Sequence, residues 1–164
     1  IQRHDIRSDT IDRVQVTMSS RSALPLVYKR PENSLQAKFS LPFAVAVALV
    51  DRAAGLDQYI DRKVKDPRVV ELMERTDLVA AKTTRNGPGV VRIILKDGTS
   101  YHGKTAKAQS SDAVSRSKIE EKFRQCTANR LTPRMIRGVL SYLWSIEELN
   151  SVGGITRLLR AAWV

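Results

Sequence analysis

The chain has 164 residues, 42% hydrophobic and 27% charged, which suits one domain with a sizeable core, or one domain and a short appendage, and argues against disorder. Its single cysteine, Cys126, excludes an internal disulfide and a cysteine-based zinc site, and its longest apolar run, Leu41 to Val50, falls well short of the roughly 18 residues that cross a bilayer. A net charge of +11 raises the prospect of a polyanionic partner, yet acidic residues are interspersed throughout, aromatics make up only 5%, and no basic block, zinc knuckle or helix-turn-helix signature disposes the chain to nucleic acid.

The chain opens on Ile1 rather than Met, and charged Arg3, Asp5 and Arg7 stand where a signal peptide would be apolar. It reads as a processed, truncated or excised piece of a cytoplasmic protein. Ile11, Val14, Val16 and Met18 alternate with polar neighbours, which predicts a half-buried strand. Residues 19–33 are irregular, broken by Pro25 and Pro31. Ser34 is placed as the N-cap of a helix to about Ala53, with a kink or break at Pro42, which removes a backbone bond and crowds the carbonyl of Lys38. Beyond Pro42 this helix is apolar on every side, so it must be buried on every side and part of it is expected to meet another body.

Asp66-Pro67 predicts the N-cap and first residue of a short helix carrying Val69, Val70, Leu72 and Met73. Leu78 to Ala81 is a candidate strand. Asn86-Gly-Pro-Gly reads as a turn, Val90 to Leu95 as a strand, and Asp97-Gly98 as the tight turn back into Thr99-Ser-Tyr-His. Ser117-Lys-Ile-Glu120 has the form of a capping box opening a helix with Ile119, Phe123 and Cys126 on one face. Thr132-Pro133 opens a last long helix, its apolar positions running from Ile136 to Leu149 and ending at Gly153-Gly154, before a short helix through Leu158 and Leu159. The expected class is α+β: a small, mostly antiparallel sheet covered by helices.

Chemistry-bearing residues are sparse. The two histidines, His4 and His102, form no nucleophilic constellation with Ser or Cys, no metal-ligand spacing is visible, and Gly87-Pro-Gly89 precedes a strand and lacks the spacing of a phosphate loop. One stretch stands out: Ala37-Lys38-Phe39-Ser40-Leu41-Pro42-Phe43. A helix unwound at the proline, with the Lys38 cation and the Ser40 hydroxyl exposed, can take a carboxylate.

The same stretch, in its context Arg30-Pro-Glu-Asn-Ser-Leu-Gln-Ala-Lys-Phe-Ser-Leu-Pro-Phe-Ala-Val-Ala, resembles the AKFS segment of the MmgE/PrpD family. His4-Asp-Ile-x-x-Asp-x-Ile-x-x-Val, Asp66-Pro-Arg-Val-Val, the Val90 to Gly98 strand and turn, and Lys118-Ile-Glu-Glu-Lys-Phe follow in the family's order, covering essentially the whole chain. The resemblance implies a lid-type α+β domain over residues 1–131 and a C-terminal helical segment over 132–164 that returns to an all-helical domain. By the same resemblance, that helical domain is expected to precede this sequence and, with the junction just before Ile1, to hold most of the acid–base groups. The family, which includes dehydratases, decarboxylases and epimerases, works as homodimers on small di- or tricarboxylic acids. It manipulates a proton or carboxyl group next to a carboxylate with no metal or organic cofactor. The isolated chain is accordingly expected to be inactive. Lys38 and Ser40 become candidate carboxylate contacts. Phe43 takes the place of a site-lining tyrosine in decarboxylase-like members, keeping the ring but losing the hydroxyl and any hydrogen bond it could donate. The alternative is a stand-alone basic domain that binds nucleic acid or an acidic protein.

Overall fold

The computed structural model describes residues 4–81, 89–104 and 114–160. The chain divides into two compact units, Ile1–Ser111 and Asp112–Val164. The expected Asn86-Gly-Pro-Gly turn lies outside the described residues.

The first unit is built on β1 (Ile11–Ser19), β2 (Thr76–Ala81), β3 (Val90–Leu95) and β4 (Ser100–Lys104). They form one sheet in the order β2-β1-β3-β4. β1 pairs antiparallel with β3, and β3 with β4, while β1 and β2 run parallel. A parallel neighbour needs a crossover connection, and here it consists of α1 (Ser20–Ala23), α2 (Ser34–Ala37), α3 (Leu41–Asp51), α4 (Asp61–Val64) and α5 (Pro67–Glu74). The α+β class holds, with this one parallel pair making the sheet mixed. At the start of β1 a register shift between Ile11 and Arg13 lets both Ile11 and Val14 face inward despite their odd spacing.

Val14, Val16 and Ile93 from the sheet meet Phe43, Ala46, Val47 and Leu49 from α3 and Val69, Leu72 and Met73 from α5 in one buried cluster. α5 begins as its sequence predicts, with the Asp66 carboxylate accepting from the Arg68 amide at 3.0 Å and Pro67 in the first turn, where its missing N–H has no helical acceptor to lose. In the hairpin, Gly98 takes φ 86°, a value that favours glycine, and Asp97 accepts from the Thr99 amide at 2.8 Å.

Two sequence expectations for the AKFS region are corrected. Asn33, not Ser34, caps α2: its side chain accepts from the Gln36 amide. The break expected at Pro42 forms, between α2 and α3, but the helix beyond it ends at Asp51 rather than at about Ala53, before Arg52 in the left-handed conformation (φ 55°). The all-round apolar helix is only partly enclosed. Pro42, Phe43, Ala46, Val47 and Leu49 are buried, while Leu41, Ala44, Val45, Ala48 and Val50 are half-buried.

The second unit contains α6 (Arg116–Thr127), α7 (Pro133–Trp144) and α8 (Gly153–Arg160). Thr132 caps α7, accepting from the Met135 amide at 3.3 Å. The predicted capping box does not form: α6 starts at Arg116 after Ser115, with no side-chain cap. Glu120 instead accepts from Arg116 and Arg124 and from the Trp144 indole at 2.9–3.0 Å. Three donors outcompete one backbone amide for the same carboxylate. Cys126, expected on the packed face, is exposed. The long C-terminal helix stops at Trp144 and yields to a short 3-10 turn over Ile146–Glu148. The glycine pair begins α8 rather than interrupting a helix. Among the described residues no helix is long and apolar enough to cross a membrane.

Candidate functional site

The AKFS stretch occupies the break between α2 and α3. Upstream, the α2 start is held three ways: Asn33 caps Gln36, Gln36 accepts from the Glu32 amide at 2.8 Å, and Asp61, 27 residues away, accepts from the Ser34 amide at 2.7 Å. That backbone N–H is the main reason the Asp61 carboxyl lies below its ordinary value. Downstream, the Lys38, Phe39 and Ser40 amides donate to the carbonyls of Leu35, Gln36 and Ala37 in short i→i+3 bonds, so α2 closes in a tight turn rather than running into Pro42.

Ser40 then restarts the chain. Its hydroxyl accepts from the Phe43 amide at 3.2 Å and its carbonyl from the Ala44 amide at 3.1 Å. With Ser40 as N-cap, Pro42 falls in the first turn of α3, where proline costs no helical hydrogen bond. Sequence logic located the break; the serine decides that it precedes the proline.

The three sequence-nominated residues occupy three different environments. Lys38 is exposed and makes no ion pair among the described residues. Ser40 is 1% exposed and its oxygen is engaged as the cap. Phe43 is fully buried, its ring edge-on to Tyr59 at 5.3 Å between centroids and 61° between planes. Burial also pushes the Tyr59 hydroxyl above its ordinary pKa. Thus the break brings one cation to the surface, while Ser40 and Phe43 anchor the turn that carries it.

Sequence reasoning missed the segment that borders this turn. The Tyr28 amide donates to the Phe39 carbonyl at 3.2 Å, which docks the irregular 24–30 segment alongside the break. Between that segment, Pro42 and the start of β2 lies a shallow cavity of about 180 Å³ lined by Leu26, Val27, Tyr28, Lys29, Pro42, Thr76, Asp77 and Leu78. Lys29 is a second exposed cation here. In the segments that carry the two lysines, Leu24, Val27, Leu35 and Phe39 stand 45–74% exposed. No local signal reveals this: the 24–30 segment is placed by a backbone bond to a residue eleven positions on and by the Arg30–Glu74 ion pair at 2.9 Å.

The two histidines stand apart from this turn, and the described charges that do converge are paired with one another. His4 stacks obliquely on Tyr101 at 4.8 Å, and His102 is exposed on the edge strand. Lys63 bridges Asp51 at 2.7 Å and lies 3.9 Å from Asp66, tying α4 to α3 and to the cap of α5. Among the described residues no group of three or more His, Cys, Asp or Glu side chains is placed to hold a metal ion.

Residues 1–141 match the family model described as the MmgE/PrpD C-terminal domain. A cis-aconitate decarboxylase from Mus musculus is 22% identical to the chain over 138 residues, an alignment that covers 79% of this chain and 28% of that protein. The chain therefore spans little more than a quarter of the length of the curated relative it matches.

Proposed function

The chain belongs to the MmgE/PrpD family, as its C-terminal domain, and from that premise we propose that it is the lid-type part of a cofactor-independent lyase or isomerase of small di- or tricarboxylic acids. In this reading the reaction begins with removal of a proton next to a carboxylate. The base and acid that move protons come from a preceding all-helical domain, in a cytoplasmic homodimer, and the isolated chain does not turn over substrate. Lys38 supplies a fixed positive charge to one substrate carboxylate, while Ser40 and Phe43 hold the turn that presents it.

The observation that carries this reading is Lys38, exposed and in no ion pair among the described residues, at a break whose α3 side is capped by Ser40. Asn33, Asp61 and Ser40 fix the backbone from which Lys38 extends, so its ammonium stays tethered beside the break while its flexible stem adapts to a small acid. The exposed apolar side chains around it supply a surface that a second domain can cover, drying the site and strengthening the charge contact.

Two measurements test the proposal. Titrating the chain with citrate while following backbone amides is expected to shift resonances over residues 33–40 and at Lys29, and Lys38→Gln is expected to remove the effect; shifts elsewhere alone reject the Lys38 role. The intact mass of the native species containing these peptides tests the rest. A species far above 18.4 kDa supports a helical domain in the same chain, whereas a native species of that mass refutes it.

A further inference from the structure

The second unit carries a concentration of charge that the proposed reaction does not use. α7 and α8 pack as an antiparallel pair through two glycines. A Cβ on Gly138 would lie 3.1 Å from Leu158 Cδ1, and one on Gly154 would lie 2.8 Å from Tyr142 Cζ. This register sets 138 against 158 and 142 against 154. With 100° between successive residues, Arg134, Arg137 and Ser141 fall on the flank of α7 beside that contact line. Arg157 falls on the flank of α8 that opens to the same side, with Arg160 one turn further on.

All four arginines are exposed, and none enters an ion pair among the described residues. The described acids of this unit are elsewhere: Glu120 is engaged by Arg116 and Arg124 on α6, Glu121 on the same helix accepts from Gln125 at 3.2 Å, and Glu147 and Glu148 lie in the turn at the opposite end of the hairpin. Arg134 is also in the first turn of α7, where the helix dipole disfavours a cation. The helix dipole accounts for Arg157 and Arg160, which lie in the last turn of α8, but it gives no reason for Arg134 or Arg137 on α7, and mutual repulsion along the flank opposes the cluster. Moreover, the family model ends at residue 141, so α8 with Arg157 and Arg160 lies beyond it.

We propose that the Arg134–Arg137–Arg157 flank of the α7–α8 hairpin is a docking surface for an acidic helix of a protein partner. Carboxylates three or four residues apart on a helix are neighbours at about 5–6 Å. That spacing matches guanidinium forks one turn apart on α7, and each fork can take a carboxylate through two parallel hydrogen bonds. Nucleic acid fits less well. Three or four phosphate contacts give only weak, salt-labile attachment, and Trp144, the ring on the Arg137 side of α7, is already covered by Arg116 at 4.6 Å and donates to Glu120, so it is not free to stack on a base.

The test uses the whole chain, a helical peptide with glutamates at every third and fourth position, the same peptide with lysines, and a single-stranded oligonucleotide, at about 0.15 M salt, where distant charges are screened. Amide shifts caused by the glutamate peptide are expected to cluster over 133–141 and 154–160. Arg137→Glu with Arg157→Glu is expected to weaken its binding at least roughly tenfold, with an unchanged unfolding midpoint. Should that pair fail to fold, Arg137→Gln with Arg157→Gln keeps the comparison. Equal binding by the oligonucleotide, shifts outside this hairpin, or affinity indifferent to both variant pairs overturns the proposal.

Discussion

Phe43→Tyr separates a sealed core position from one that opens onto a site. The wild-type ring is fully buried against Tyr59 and the α3–sheet cluster, so the added hydroxyl enters a place with no water. Leaving it unsatisfied costs about 1–3 kcal/mol, and the strain of fitting one more heavy atom into a filled core adds to that. The ring itself is retained, so loss of hydrophobic burial contributes nothing. Phe43→Ala calibrates the scale, with an expected loss of about 3–5 kcal/mol. Urea unfolding followed by far-UV circular dichroism, with amide protection read across β1 and α3, reports both changes. A Phe43→Tyr variant within about 0.5 kcal/mol of wild type, the scatter of neutral surface changes, would refute the reasoning. The hydroxyl would then have reached water or a partner, and the position would be open at its edge.

Three further variants probe the helix ends and the second unit. Ser40→Ala removes the cap of α3 and is expected to cost about 1 kcal/mol; Ser40→Thr, which keeps the hydroxyl, should recover most of it in the same urea titration. Gly154→Ala and Gly138→Ala should differ in sign. The first drives a Cβ to within 2.8–3.0 Å of two ring atoms and the hydroxyl oxygen of Tyr142, and the ring must swing out as a rigid body at about 1–3 kcal/mol. The second meets one Leu158 methyl at 3.1 Å, a movable group, and gains about 0.8–1 kcal/mol of helix propensity in the interior of α7. Both tryptophans, Trp144 and Trp163, belong to this unit, so intrinsic fluorescence follows its unfolding. Finally, the Arg116 and Arg124 guanidiniums hold the Glu120 carboxyl below its ordinary value. Its contribution is therefore full at neutral pH and fades as the carboxyl protonates. Glu120→Gln should destabilise at pH 7, and its deficit should shrink as the pH falls below the usual glutamate range and as salt is added.

The parts of the fold legible in the sequence are those fixed by near neighbours. Asp66-Pro67 and Thr132-Pro133 open helices because cap and proline act within one turn. Asp97-Gly98 makes its hairpin because a short-range turn joins two β-rich runs. Val14, Val16 and Met18 reveal a strand through alternation, but not that it is central, nor that its neighbour on one side is a parallel strand more than fifty residues on. That pairing depends on the whole α1–α5 crossover. The failed capping box at Ser117–Glu120 has the same cause. The motif is local, but Glu120 is taken by Arg116, Arg124 and, from another helix, Trp144.

The candidate site shows this division at its sharpest. The Lys38–Ser40 break is written locally, in a serine two residues before a proline, and the cation it presents can be named from the sequence. What fixes that cation cannot be, because Asp61 reaches the Ser34 amide across 27 residues and Tyr28 reaches the Phe39 carbonyl from a segment with no regular structure. Phe43 was nominated by resemblance and Ser40 by proximity, and both prove to be buried supports of the turn. Under the proposed function, in which the domain presents charge to a site completed elsewhere, the residue that meets the ligand and the residues that hold it must differ. The contact has to stay solvated and unpaired until the site closes, whereas the supports have to be satisfied and packed from the start. Lys38 meets the first condition, and Ser40, Phe43 and Asp61 meet the second.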